Sequence, residues 1–411
     1  MSNTNLTVDW IGNEALALAH EKASFIGTVN REFDSSFVPG RGSTIRIRIP
    51  SQYTQSSGRV IDVQDGVEQS TNIVVATQNH VALRYNSQEY AQDLVSFKKL
   101  HLEPAMAQLV SYIDGVCLST ATMATYNYAG TPGNQISTLV APGEARARLN
   151  QYLAPKGQDR RLQLDSITMG NIVSGAAGYF NPSNAISEQW REGLVARTSM
   201  ADYYENERVT ALTGPTAVSS WASTQTFTNG LRTILVSTTT WFTPPVGSLF
   251  TLGWTSSVSQ GFRACHPETK QPYSHLQTFT VTAASAATST YTFDPPIYIS
   301  GPRQNVVRSD GAAFTGTGVE VTSLIRFVGA ASGTYAQPLM YHRDAFTFAT
   351  AALPLMGDAI SCTVKTYDGI SLRVWEASDI RNDEKLTRID ILWGFAAIRA
   401  QWAARLFGTA L

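Results

Sequence analysis

Ser96, Phe97, Lys98 and Lys99 carry the S-x-x-K spacing by which serine acyl enzymes set a lysine amine beside a nucleophilic hydroxyl. Neither S-D-N nor K-T-G follows, and the stretch falls on a helix face turned to solvent, so the spacing supports no catalytic assignment. Cys265, His266 and His275 are residue types that bind zinc, but a fourth ligand is missing and their spacing matches no closed site. Ordinary loop positions explain them better. His20, His80, His101 and His342 are scattered, without H-E-x-x-H. The chain has no G-x-S-x-G turn, no P-loop and no G-x-G-x-x-G opening a helix after a strand. These residues predict a protein with no catalytic group, no cofactor and no metal.

One stretch does carry binding chemistry. In RGSTIRIRIP (41–50), side chains of an extended chain alternate between faces. Ile45, Ile47 and Ile49 then share one side, and Thr44, Arg46 and Arg48 the other, with Arg41 just before and Pro50 halting the pairing. One face calls for a core and the other for an anion. A phosphate backbone, a lipid headgroup or carboxylates of another protein would each serve; a solvated arginine face on an ordinary hairpin is the plain alternative. The continuation is acidic, with Asp62, Asp65 and Glu68.

Composition narrows the choice. The 411 residues carry 31 Lys and Arg against 32 Asp and Glu, a net charge of -1. Proteins that neutralise many phosphates have basic domains, so this balance argues against sequence-independent nucleic-acid binding as the main role. Charged residues make up 15% of the chain, against about a quarter in typical soluble proteins. Either partners cover much of the surface or Thr and Ser supply its polarity. Three widely spaced cysteines, Cys117, Cys265 and Cys362, imply no disulfide framework. Asp9 and Glu14 precede the first basic residue, Lys22, which predicts no signal peptide, and no run approaches the apolar length of a membrane span.

The elements that must position these residues follow from periodicity. Val8, Ile11, Ala15 and Leu18 predict a short helix over 7–22, and residues 31–75 form a long strand-and-loop excursion punctuated by Gly and Pro. A shorter helix is predicted at 87–99. From Glu103 and Pro104 onward, Met106, Leu109, Val110, Ile113, Val116, Cys117, Ala121 and Ala124 mark about 22 residues of one-sided helix, roughly 33 Å long. A helix at 142–153, a strand at 160–165 and a helix at 166–177 make this part mixed. Between about 211 and 335 the chain turns Thr-, Ser-, Gly- and Pro-rich. It shows short alternating runs, TFTVTA (278–283), TYTF (290–293), IYI (297–299) and VEV (319–321), between turn signals such as Asn229-Gly230, Pro295-Pro296 and Gly301-Pro302. That pattern predicts a small antiparallel barrel or sandwich interrupting the mixed part. GISLRVWEA (369–377) and TRIDILW (387–393) predict a strand pair, followed by an apolar tail through Leu406.

This order of parts, with the segments GYFNPSNAISEQWREGLVAR (178–197), HPETKQPYSHLQTFTVTA (266–283), MYHRDAFTFATAALPLMG (340–357) and YDGISLRVWEASDIRNDEKLTRIDILWGFAAIRAQWAARLFG (367–408), resembles major capsid proteins of tailed double-stranded-DNA bacteriophages. Within that family it is most similar to Salmonella podovirus-type coat proteins, and the likeness spans nearly the whole chain. The resemblance implies an α+β, Hong-Kong-97-type capsid fold. Its parts would be an N-terminal arm (1–30), an extended β loop (31–75) and a peripheral domain with the spine helix (76–135). An axial domain (136–210 and 336–365), an inserted β domain (211–335) and return strands (366–411) would complete it. It implies a non-enzymatic protein that assembles with itself into pentamers and hexamers, with a scaffolding protein, a portal protein and, on some shells, a decoration protein. The shell would form in the host bacterial cytoplasm, end in the virion, enclose DNA through weak non-specific contacts and involve no membrane. Arg41, Arg46 and Arg48 would then meet carboxylates of an adjacent subunit, with Asp62, Asp65 and Glu68 of a neighbouring loop as first candidates. Some relatives join a lysine of the extended loop to a neighbour's asparagine; residues 31–75 contain no lysine, which excludes that route. The alternative function is a virion-surface or tail-decorating binding protein with the β segment as ligand module.

Overall fold

The computed structural model describes residues 8–33, 43–61, 63–66, 68–86, 101–157, 159–176, 201–221, 227–237, 241–253, 261–309, 324–357, 360–367, 369–379, 381–382 and 384–408. The expected helix at 87–99, which includes Ser96 to Lys99, lies outside them, as do 178–197 and VEV at 319–321. The fold is α+β, dominated by strands, and divides into two units. The first holds residues 1–48, 70–118 and 346–398; the second holds 49–69, 119–345 and 399–411.

Strand Glu384–Ala397 organises the first unit. It pairs antiparallel with Thr77–Asn86 along one side, from Glu384 opposite Asn86 to Trp393 opposite Thr77. Its other side pairs first with Ile370–Asp379 and then with Phe346–Ala351. The predicted pair at 369–377 and 387–393 is thus the middle of a larger sheet. Helix α1 (Val8–Lys22) and helix α2 (Glu103–Ala124) appear where the apolar spacing placed them. Ile11, Ala15 and Leu18 of α1 are buried, as are Met106, Leu109, Val110 and Ile113 of α2. A void of about 20 Å³ lined by Ala19, Met106, Ile113, Phe348, Leu372 and Ile391 marks where these side chains meet.

Asp114 and Asp390, both fully buried, interrupt that apolar interior, and spacing gave no sign of either. Asp114 lies on the buried stripe of α2 at 0% exposure. It accepts hydrogen bonds from Ser24 Oγ (3.0 Å) and the backbone N–H groups of Phe25 (2.8 Å) and Ile26 (2.9 Å), so it fixes the turn that follows α1. Asp390 accepts from Arg373 NH2 (2.7 Å), Arg388 Nε (2.6 Å) and Trp375 Nε1 (3.0 Å). Each carboxylate replaces its lost water with several donors, which is the condition for burying a charge.

In the second unit, helices α3 (Val140–Gln151) and α4 (Ser166–Ala176) pack through Ala145, Leu149 and Ile172 onto a five-stranded mixed sheet. Its strand order is Tyr128–Ala129, Ala403–Leu406, Leu339–His342, Arg160–Leu164 and Asp202–Glu205, so the apolar tail of the sequence is an interior strand. Among the described residues of 211–336, the regular elements are strands. A six-stranded antiparallel sheet and a three-stranded sheet enclose an aromatic core of Phe227, Phe250, Phe262, Phe279, Phe293 and Phe327. The segment's first and last strands, Ala211–Thr213 and Thr334–Ala336, pair with each other. One turn signal misled. Pro295-Pro296 lies inside strand Thr290–Ile297, where the register against Leu231–Leu235 shifts between Thr292 and Ile297. Proline has no N–H to donate, and irregular pairing at a shift leaves no ladder bond for it to break. The run IYI likewise ends its strand at Ile297.

Arg405, on the interior strand Ala403–Leu406, is fully buried and meets no carboxylate among the bonds the structure shows. Its NH1 donates to Gly247 O (2.7 Å) and Gln337 Oε1 (3.1 Å), and its NH2 to Met123 O (3.0 Å) and Thr280 Oγ1 (3.2 Å). It therefore ties the β segment to the C-terminal turn of α2.

Asp390 sets an acid limit on stability. Burial alone would raise its carboxyl, but the hydrogen bonds and charges of Arg373 and Arg388 outweigh burial and hold it below the ordinary value. A depressed carboxyl stabilises the fold above its unfolded value of about 3.9 and ceases to as pH falls through the folded value. Urea unfolding should therefore show stability falling below about pH 4. Asp390→Asn should cost about 3–5 kcal/mol at neutral pH, because the buried Arg373 loses its counter-charge and the half-buried Arg388 loses a partner, and should make the acid decline shallower.

Candidate interaction surface

The alternation of Thr44–Ile49 is realised in space. This strand pairs with Gln69–Val74. Ile47, Ile73 and Val75 are buried with Ala349, and Ile45, Leu392 and Ala396 pack around them. Thr44, Arg46 and Arg48 are exposed on the opposite face. The base of the excursion is thus held by its isoleucine face, with the arginine face opposite it.

What lets the base approach so closely is Gly394. A Cβ there would stand 2.2 Å from the carbonyl oxygen of Val74 and 2.9 Å from the Cα of Val75. Val75 N also donates to Ser43 O at 2.8 Å, which closes the two arms of the excursion at this point. Sequence reasoning passed over Gly394, although an isolated glycine inside the strand pattern ILWGFAA is the usual sign of close backbone approach.

The other predicted contact residues are placed as follows. Arg46 Nε donates to Ser70 Oγ at 2.6 Å, a hydroxyl of its own hairpin rather than a carboxylate. Asp65 and Glu68 are exposed on the return arm. Arg41 and Asp62 lie outside the described residues.

Beyond Pro50 the two arms are clasped by one amide. Gln64 Oε1 accepts from Thr54 N (2.8 Å), and Gln64 Nε2 donates to Thr54 O (2.6 Å), as a strand neighbour would. Past that clasp, Val60, Ile61 and Val63 are 88%, 85% and 83% exposed, and Tyr53 is 62% exposed. Scattered surface apolar residues need no explanation, but several together on one loop mark an interaction site. The sequence carries the signal as the apolar run RVIDV (59–63).

The zinc-type residues all serve the β segment. Cys265 Sγ lies 3.2 Å from Gln304 O, and burial pushes its thiol up to about 11. His266 Nδ1 accepts from the N–H groups of Glu268 and Thr269, both at 3.1 Å. His275 stacks on Tyr273, and burial together with nearby Arg148 lowers its imidazole to about 3. Among the described residues, no group of three or more His, Cys, Asp or Glu is placed to hold a metal ion. No helix among them is long and apolar enough to cross a membrane.

No protein-family model matches the sequence, and no curated protein matches it. Among solved structures the chain is similar to one from Mycobacterium phage Che8, at 9% identity and a TM-score of 0.47, covering 93% of this chain and 90% of that one. It is also similar to the capsid of Ralstonia phage GP4, at 8% identity and a TM-score of 0.47, covering 95% and 91%. A third is the acidic stable capsid structure of Helicobacter pylori bacteriophage KHP30, at 9% identity and a TM-score of 0.44, covering 90% and 86%.

The anchoring of the excursion yields a paired expectation. Gly394→Ala should cost about 1–3 kcal/mol in thermal or urea unfolding, since the added carbon meets backbone that cannot turn aside. Reversing both exposed charges, Arg46→Glu with Arg48→Glu, should change stability by no more than about 0.5 kcal/mol. A glycine variant as stable as the parent would mean that the base of the excursion sits elsewhere in solution.

Proposed function

We propose that this chain is the major capsid protein of a tailed double-stranded-DNA phage. Copies of it would close into an icosahedral shell of pentamers and hexamers around packaged DNA, without enzymatic activity. The observation that carries the reading is the excursion at 43–75, anchored at its base while Val60, Ile61 and Val63 stand at least 83% exposed at its far end. The sequence resemblance, with its spine helix and return strands in the same order, supports it. A surface that displays a tethered apolar tip needs a partner, and a shell gives every copy the same one.

Magnitudes rank the contacts. Burying each exposed Val or Ile contributes ~1.5–3 kcal/mol, whereas an exposed ion pair at Arg46 or Arg48 contributes about 0.2–1 kcal/mol. The apolar tip would therefore supply most of the affinity, and the arginines would set register and direction. In this reading Arg46 and Arg48 face carboxylates of an adjacent subunit, while a scaffolding protein and a portal guide closure. The chain would be assembled in the host cytoplasm and carried in the virion.

Residues 211–335 are proposed to be an inserted module. Its ends pair with each other and its aromatic core is drawn from within it. Expressed alone, the fragment should give a dispersed amide spectrum of a β-rich monomer; collapsed peaks would show that it depends on the rest of the chain.

Electron microscopy of the purified chain, alone and with its scaffold, tests the main proposal. Closed shells of uniform diameter are expected, and discrete monomers or trimers would contradict it. Arg46→Glu with Arg48→Glu should leave a folded chain that closes poorly in low salt, where surface charge acts furthest. A single Arg46→Gln should be tolerated.

A further inference from the structure

Residues 49–69 belong to the same compact unit as the β segment of their own chain, and the two are joined at an identifiable point. The side chain of Gln69 lies against the guanidinium of Arg303. With the amide turned so that both groups are satisfied, its oxygen accepts from Arg303 Nε at 2.5 Å and NH2 at 2.6 Å. Arg303 is held ready for this contact. Its NH1 donates to the hydroxyl of Tyr298 at 2.9 Å, and the guanidinium carbon lies 5.4 Å from the centre of that ring. A planar, pre-oriented guanidinium loses little freedom when it binds an acceptor.

Beneath this contact the fit is poor. A cavity of about 330 Å³ remains, lined by Gln52 and Gln69 from the excursion and by Tyr152, Pro296, Tyr298 and Trp402 from the rest of the unit. A cleft of that volume would hold several side chains. Gln69 is therefore pinned at a polar point beside an open cleft. Point contacts of this kind open locally at low cost.

We propose that the Gln69–Arg303 contact is a latch. It parks residues 51–66 on the β segment of their own chain until a second copy engages the exposed apolar tip. Binding the second copy selects the released form, so the latch sets how readily association starts. The identity of the partner rests on the capsid reading above; the latch itself does not.

Substitution at the two positions tests it in the full-length chain. Gln69→Arg and Arg303→Glu should each raise amide exchange of the described residues within 51–66 by about tenfold, because one charge-assisted contact is lost. Each should also shorten the lag of association seen by light scattering. The double variant, which sets a guanidinium at 69 opposite a carboxylate at 303, should bring exchange back towards the parent. Circular dichroism and the melting temperature of each variant check that the fold is kept. Unchanged exchange in both single variants, or a double variant no better than the singles, overturns the latch. If exchange follows the latch while no variant and not the parent associates, the latch stands and the capsid reading falls. If the parent associates but exchange is indifferent to both positions, the reverse holds.

Discussion

At Gly394 the backbone of the excursion comes so close to strand Glu384–Ala397 that no side chain would fit between them. Much follows from that one approach. It brings Val74 and Val75 down onto the sheet and lets Ile47 and Ile73 find Ala349 and Leu392. It thereby decides which face of Thr44–Ile49 is inside. A one-residue slip would carry every isoleucine to the solvent side and every arginine inward, so the close approach and the alternation enforce each other. With the base fixed, the arginine face of Thr44–Ile49 is turned away from the sheet.

The interior around these contacts is held by buried charges as well as by apolar packing. Asp114 organises the turn after α1, Asp390 gathers two arginines and a tryptophan on the central sheet, and Arg405 binds carbonyls from three separate stretches of chain in the second unit. Burial lowers the Arg405 guanidinium to about 9. Such groups stabilise less than their number suggests, because desolvation opposes them. Their effect is to penalise misplacement, since shifting any partner leaves an unpaired charge in a low-dielectric interior.

Much of this was legible in the sequence, and the parts that were not share a cause. The 22-residue helix Glu103–Ala124, the strand Arg160–Leu164 and the alternation of Thr44–Ile49 all express a local period, which spacing reports directly. Asp114 was invisible because a single acid on an apolar stripe looks the same whether it is solvated or capped by distant backbone. Gly394 carries the local sign of a close backbone approach, but its partner at Val74 and Val75 lies about 320 residues away in sequence, and the strand pattern does not name it. Pro295-Pro296 was read as a turn because the sequence cannot show that a neighbouring strand has already lost register there. The apolar tip was present as Val60, Ile61 and Val63, but its exposure is a property of the fold.

The central claim is that this tip is covered by another copy of the same chain. A photoreactive residue placed at Ile61 tests it most directly, because side-chain exposure there leaves the fold untouched by the replacement. Irradiation of the assembling protein should yield dimers whose cross-linked peptides both come from this sequence, at one recurring position. Cross-links confined within single chains, or none above those of a dispersed monomer, would contradict the account.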